Sequence, residues 1–388
     1  MEQNKRRVCI VTGSRAEYGL LSGLMQAIKD DSYLELQIVV TNMHLSPEFG
    51  LTYREIEKDG FHINKKVVML LSSDTPNGTA KSLGLGVIGF ADVYEDLKPD
   101  MIVVLGDRFE ILAAVMAALF YKIPIAHLHG GEITEGAYDD CIRHSITKMS
   151  HLHFTSTEIY RKRVIQLGEN PERVFNVGAI GIENIKKLKL MSKKELEESL
   201  HFEITRKTLL ITYHPVTLEN ATAAEQCQHL LDALDEYPEY RIIFTMPNSD
   251  TDGRIIMKML QEYTKVNEGR AIAYTSLGFV RYLSTLQYVS AVVGNSSSGI
   301  IEVPSFGIPT LNIGDRQKGR IAANSVLHCG TSKKEILQGL KTVFSQEMKD
   351  RASGRVNPYE KENTTASILQ VIKKISLDNL IQKSFYNL

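Results

Sequence analysis

Short apolar runs that stop at glycine or a polar residue, each followed by a helical stretch, recur along this chain and leave few folds open to it. RVCIVTG (7–13), LELQIVVT (34–41) and MIVVLGD (101–107) are such runs, and IPIAHLH (123–129) follows the last across FEILAAVMAALFYK. Continuous apolar runs of this length read as strands buried on both faces, the kind that parallel sheets use. Strand, helix and strand make a βαβ unit, in which polar groups at the carboxyl ends of the strands line the ligand crevice. The repeats continue through HLHFTST (151–157) and RVFNVGAIGIENI (173–185). A second series follows in TLLITYHP (208–215), YRIIFTMPNSD (240–250), AIAYTSLG (271–278), VSAVVGNSSSG (289–299) and IPTLNIGD (308–315). Between the two lies KLKLMSKKELEESLHFEITRK (187–207), charged and helical, which suits a solvated hinge. The tail carries Ile368, Leu369, Val371, Ile372 and Ile375 at helical spacing and must dock on something. The expected architecture is α/β: two doubly wound parallel-sheet domains with a cleft between them.

A chain of 388 residues is long enough for two domains, each with its own core. Lys and Arg number 45 against 46 Asp and Glu, so no global field favours nucleic acid or an anionic membrane. Any anion must be held by a local site. The four cysteines, Cys9, Cys141, Cys227 and Cys329, contain no CxxC pair, and MEQNKRRVCIVTG has no signal-peptide apolar region, which points to a reducing, cytoplasmic setting. No apolar run reaches the roughly 18–20 residues that a membrane span needs.

The densest chemistry lies at HLHGGEITEGAYDDCIRH (127–144) with GDRFE (106–110) upstream. Asp107 and His129 sit at the ends of strands. Asp107, His129, Glu132 and Asp139 then converge as a site needs in order to set one group as acid and another as base. Arg143, four residues beyond Asp139, would pair with it across one helical turn. GSRAEYG (13–19) places Gly, Ser and Arg15 at a strand-to-helix turn that favours phosphate; an ordinary turn with Ser14 as cap is the plainer reading. GNSSSGIIE (294–302) repeats the logic with three serines opening a helix, more than capping needs, and Glu302 is suited to ribose hydroxyls. NIGDRQKGR (312–320) offers Arg316 as a phosphate clamp or a solvated turn, and TYHPVT (212–217) puts His214 after a strand. GLGVIG (84–89) matches a dinucleotide fingerprint but lies inside a helical run, which argues against nicotinamide or flavin. The two HLH triplets could present paired imidazoles on a strand face for zinc, but no clear third ligand accompanies them.

In sequence and order, GSRAEYG, GDRFE, HLHGGE, DDCIRHSITKMSHLH, TYHPVT and GNSSSGIIEVPSFGIPTLNIGDRQKGR resemble the hydrolysing UDP-N-acetylglucosamine 2-epimerases of sialic acid biosynthesis, over nearly the whole chain. The resemblance implies a GT-B type fold of two Rossmann-like domains. Residues 1–185 would form the first, with the catalytic carboxylates, completed by a C-terminal helix over 365–388; residues 186–364 would form the second and bind UDP. It implies conversion of UDP-N-acetylglucosamine and water to N-acetylmannosamine and UDP, by anti elimination to 2-acetamidoglucal and then hydration. Asp107, His129, Glu132, Asp139 and Arg143 would be the catalytic set. Arg15, His44, Arg108, His127, His214, Asn248, Ser296, Ser297, Glu302 and Arg316 would bind UDP and sugar. Neither cofactor nor metal is called for; the partner is a small-molecule nucleotide sugar, with no nucleic acid and no membrane, and a homo-oligomer, dimer or tetramer, is expected. Some relatives carry Glu where this chain has His129. The same chemistry on UDP-2,4-diacetamido-2,4,6-trideoxyglucose is an alternative, since the motifs serve UDP and C2 and do not report on C4 and C6. A GT-B glycosyltransferase and a non-catalytic nucleotide-sugar binding protein are the other readings.

Overall fold

The computed structural model describes residues 5–73, 75–216, 218, 222–248 and 252–388; Thr217, Ser249 and Asp250 of the motifs above lie outside them. The chain forms two compact units. The first contains Met1–Glu132, Asp139–Lys186 and Tyr359–Leu388, and the second Ile133–Tyr138 and Lys187–Pro358.

The first unit is built on a seven-stranded sheet. Its strands are β1 (Arg6–Thr12), β2 (Leu34–Thr41), β3 (Lys65–Val67), β4 (Met101–Leu105), β5 (Ile125–Leu128), β6 (Leu152–Thr155) and β7 (Val174–Asn176). Their order is β3-β2-β1-β4-β5-β6-β7, and the paired strands run parallel. Alternation along β1 explains the two-sided core: Val8 and Ile10 pack with Leu21, Leu24, Met25, Ile368 and Ile372, while Cys9 and Val11 pack with Phe90, Tyr94, Ile111 and Ala114. The order reverses between β1 and β4, so the turns after these two strands open side by side. GLGVIG does lie within a helix, Pro76–Leu97. Gly86 there lets the helix approach Ala113 and Met69, where a Cβ would come within 2.8 Å.

The tail departs from expectation. Its helix is Thr364–Lys374 and does not run to residue 388. Ile375 turns extended, and the Ser376 hydroxyl accepts from the Asp378 N–H, a local bond that competes with helix. The remainder is held by Lys383 Nζ, which donates to Glu169 Oε2 at 2.7 Å, and by the Tyr386 N–H on the Gly168 carbonyl.

The second unit has strands β8 (Thr208–Thr212), β9 (Arg241–Thr245), β10 (Ala271–Tyr274), β11 (Ala291–Gly294), β12 (Thr310–Ile313) and β13 (Val326–Cys329), ordered β10-β9-β8-β11-β12-β13. The order again reverses once, between β8 and β11. Nothing in the sequence marks β13, which is four residues long, half-buried and at the edge of the sheet. The region read as a solvated hinge contains the helix Lys193–Leu200, capped by a Ser192–Glu195 box, and its Leu196 and Leu200 are buried. Two leucines four apart suffice to seat a short helix, which a count of large apolar residues passes over. Among the described residues, no helix is long and apolar enough to cross a membrane.

Candidate active site

In the first unit, the turn after β4 carries Gly106 in the left-handed region (φ 82°) and then Asp107 and Arg108. His127 fixes this turn from β5. It is wholly buried, and its Nε2 lies 2.8 Å from the Gly106 carbonyl. A carbonyl can only accept, so Nε2 carries the proton and Nδ1 faces the Thr147 hydroxyl at 3.3 Å as an acceptor. Burial pushes the imidazole down to about 3, so it stays neutral. His44 is likewise wholly buried, between Thr12 Oγ1 at 3.2 Å and Thr52 Oγ1 at 2.8 Å, and burial holds it near 3. Both histidines, expected around the sugar, hydrogen-bond to groups of the turns after β1 and β4.

Arg143 organises the chemistry. It lies on the helix Asp139–Met149, is 1% exposed, and donates to Asp107 Oδ2, to Asp140 Oδ1 at 3.0 Å and to the Glu132 carbonyl at 2.9 Å. Thus the guanidinium ties the β4 turn to the stretch after β5. Asp139 opens the same helix and is buried.

His129 follows β5 with φ 65°, so the strand alternation ends before it and His127 and His129 do not share a strand face. Its N–H donates to the Phe154 carbonyl, and Nδ1 lies 3.0 Å from Glu132 Oε1. The same oxygen accepts from Ser156 Oγ at 2.7 Å. The carboxylate therefore orients the ring with Nδ1 as donor. Nε2 is buried and has no hydrogen-bond partner in the protein. Asp107, Arg143, Glu132 and His129 form one connected set. Arg15 Nε pairs with Glu55 Oε2 at 2.5 Å, and Arg108 Nε with Glu110 Oε1 at 2.8 Å.

In the second unit, the residues after β8 and β11 meet where the strand order reverses. The buried Asn295 accepts from the His214 N–H at 2.7 Å and donates to the His214 carbonyl at 2.8 Å. His214 Nδ1 accepts from the Asn248 N–H at 3.3 Å, which leaves Nε2–H as its outward donor. Arg316 Nη1 and Gln317 Nε2 both donate to the Asn295 carbonyl, at 3.3 and 3.0 Å. Gly294 (φ 134°) lies against Thr212, whose carbonyl a Cβ would meet at 1.9 Å, so no other residue fits there. Ser296 and Ser297 are half-buried, and Glu302 is buried. The helix that GNSSSG opens is only Ser298–Ile301, broken by Pro304 two residues after Glu302, so donors here are hydroxyls and local N–H groups more than a long helix dipole.

The stretch 127–144, read as one motif, is divided. Residues 133–138 belong to the second unit, where the Glu135 N–H donates to the Lys318 carbonyl and Gly136 packs on the Asp315 carbonyl with no room for a Cβ. Asn295, Gln317, Ser156 and Thr147 were not singled out as site residues in the sequence, because their roles are to hold other site groups and depend on partners remote in the chain. Asn295→Ala is expected to lower the unfolding free energy by about 1–3 kcal/mol, since it leaves two buried backbone groups of His214 unpaired. A urea titration reads this, and unchanged stability would show that the clasp is dispensable.

Each unit is a doubly wound parallel sheet with polar side chains after its central strands, one carrying a carboxylate–imidazole–guanidinium set and the other small hydroxyl residues, the plan of a GT-B-like α/β protein. Residues 26–373 match the UDP-N-acetylglucosamine 2-epimerase family. The chain is 44% identical to the GDP/UDP-N,N'-diacetylbacillosamine 2-epimerase (hydrolyzing) of Campylobacter jejuni, over 99% of this chain and all of that protein. It is 38% identical to the polysialic acid biosynthesis protein P7 of Escherichia coli (99% and 98% covered) and 35% to the UDP-N,N'-diacetylbacillosamine 2-epimerase (hydrolyzing) of Legionella pneumophila (97% and 98%). The crystal structure of UDP-GlcNAc 2-epimerase from Neisseria meningitidis bound to UDP-GlcNAc superposes with a TM-score of 0.81 at 19% identity, covering 95% of this chain and 100% of that one. The chain belongs to the UDP-N-acetylglucosamine 2-epimerase family. Its class is that of the hydrolysing nucleotide-sugar 2-epimerases.

Proposed function

We propose that the substrate is UDP-2,4-diacetamido-2,4,6-trideoxyglucose, which is UDP-N,N'-diacetylbacillosamine, and that the products are UDP and 2,4-diacetamido-2,4,6-trideoxymannose. The observation that carries this choice of sugar is the 44% end-to-end identity with the Campylobacter jejuni enzyme. UDP-N-acetylglucosamine, the first reading of the motifs, is the second candidate, favoured by the 30% identity with the UDP-N-acetylglucosamine 2-epimerase of Neisseria meningitidis serogroup B.

In either case a base takes the C2 proton, and the C1–O electron pair leaves with the β-phosphate oxygen of UDP as the C1=C2 bond forms. Water then delivers OH to C1 and a proton returns to C2 on the opposite face. His129 Nε2, oriented through Glu132, is suited to one proton transfer and Asp107, anchored by Arg143, to the other. Asp139 supplements the charge that stabilises positive character at C1. His214, Ser296, Ser297 and Arg316 would hold the departing diphosphate, Glu302 the ribose, and Asn248 the base, with Arg15 and Arg108 as further cations.

The test is proton NMR in deuterated water with each UDP-sugar in turn. The expected result is UDP and the C2-inverted sugar deuterated at C2, formed faster from the diacetamido substrate. Turnover of UDP-N-acetylglucosamine alone would overturn the choice of sugar, and binding without turnover of either would overturn the reaction.

A further inference from the structure

The turns after β1 and β4 hold a pair of buried carboxyl groups for which the reaction above has no use. Glu17, in the first turn of the helix Arg15–Asp30, folds back so that its Oε2 accepts the Gly13 N–H at 2.6 Å and the Thr12 hydroxyl at 3.3 Å. Glu110 comes from the facing turn. A Cβ on Gly13 would lie 2.5 Å from Glu110 Cγ and Oε1, so this carboxyl fills the space over the Gly13 Cα. Glu110 Oε1 also accepts from Arg108 Nε at 2.8 Å. Glu17 is 6% exposed and Glu110 0%. The second oxygen of each, Glu17 Oε1 and Glu110 Oε2, is buried and hydrogen-bonded to no protein group.

With the Glu110 side chain lying over the same Gly13 whose N–H Glu17 binds, and with so little exposure, the Glu17 carboxyl disfavours ionisation. The facing cation is Arg108; Arg15, at the start of the Glu17 helix, is paired with Glu55, and His44, against the same turn, is kept neutral by burial. Since Glu17 Oε2 already takes two donors, a proton on this side of the pair belongs on Oε1.

We propose that Glu17 stays a neutral acid beside the Glu110–Arg108 pair, and that this arrangement positions the site: it lets the two turns close on each other at the strand-order reversal and so holds Arg108, and Asp107 before it, for the reaction. The consequence for turnover rests on the epimerase reading; the neutral acid itself does not. Burial, with the Glu110 charge, raises Glu17 to about 8. Its folded value lies above its unfolded one, so its contribution to stability is complete below about pH 4.5 and is lost as pH rises to about 8.

The experiment compares the full-length protein with Glu17→Gln and Glu110→Gln, following thermal midpoints from pH 5 to 9 without substrate, and kcat and KM over the same range. The wild type should lose midpoint temperature toward pH 8 relative to Glu17→Gln, which mimics the protonated acid. Glu110→Gln should shift that loss to lower pH, because the repelling charge is gone; Glu110→Asp, which withdraws the charge, should do the same if the glutamine variant does not fold. Above pH 8, wild-type kcat should fall about tenfold per unit with KM within about threefold, and Glu17→Gln should lack that limb. Parallel melts of wild type and Glu17→Gln, or an unmoved midpoint in Glu110→Gln, would overturn the proton on Glu17. Coupled melts with an unchanged pH course of kcat would overturn the positioning role while leaving the epimerase reading intact.

Discussion

Replacing His129 with glutamine is expected to lower kcat about 10²- to 10⁴-fold with KM for the UDP-sugar within a few-fold, the range for loss of a positioned acid or base. The expectation follows from the two ring nitrogens. Nδ1 donates to Glu132 Oε1, which also accepts from the Ser156 hydroxyl, so the ring cannot turn without breaking its bond to a carboxylate that is itself held in place. Nε2 is then the one nitrogen able to exchange a proton with substrate. Glutamine can keep a donor toward Glu132 but has no nitrogen that can take up and return a proton. Deuterium incorporation at C2 should fall in step with kcat. A variant with wild-type kcat would show that the imidazole orients its neighbours and transfers no proton.

Arg143→Met should produce the second large effect, on stability and activity together. The guanidinium is 1% exposed and meets Asp107, Asp140 and the Glu132 carbonyl, so its removal leaves two partly buried carboxylates facing each other. Breaking a buried ion pair from one side costs about 3–5 kcal/mol, well above the worth of an exposed pair. Activity should fall with it, because Asp107 loses the bond that aims it. Chemical denaturation alongside turnover assays separates the two. If Arg143→Met unfolds like the wild type, the pairs around it contribute little and the ionic account of this turn fails.

Much of the fold was legible because buried parallel strands are continuous apolar runs, and β2 and β4 end within two residues of where those runs stop. The strand β13 escaped, being a short edge whose pairing with β12 supplies what its residues lack. The same division holds in the site. Asp107, Glu132, Asp139 and Arg143 stood out by density, but His44 and His127 carried the same chemical signal and proved wholly buried, because imidazole serves as well for pinning a turn as for meeting a ligand.

By itself the sequence determined most of the strands and helices, the two parallel sheets, and the chemical types gathered after β4, β5, β8 and β11. These follow from local periodicity and from residues near one another in the chain. Only the tertiary structure decided that Asn295 clasps His214 across 81 positions, that Arg143 reaches Asp107 across 36, and that Gly13 is bare so that Glu110 can lie over it. Such contacts join segments that follow neighbouring strands of one sheet but lie far apart in the chain, and no local pattern encodes which of many buried polar groups will face one another there.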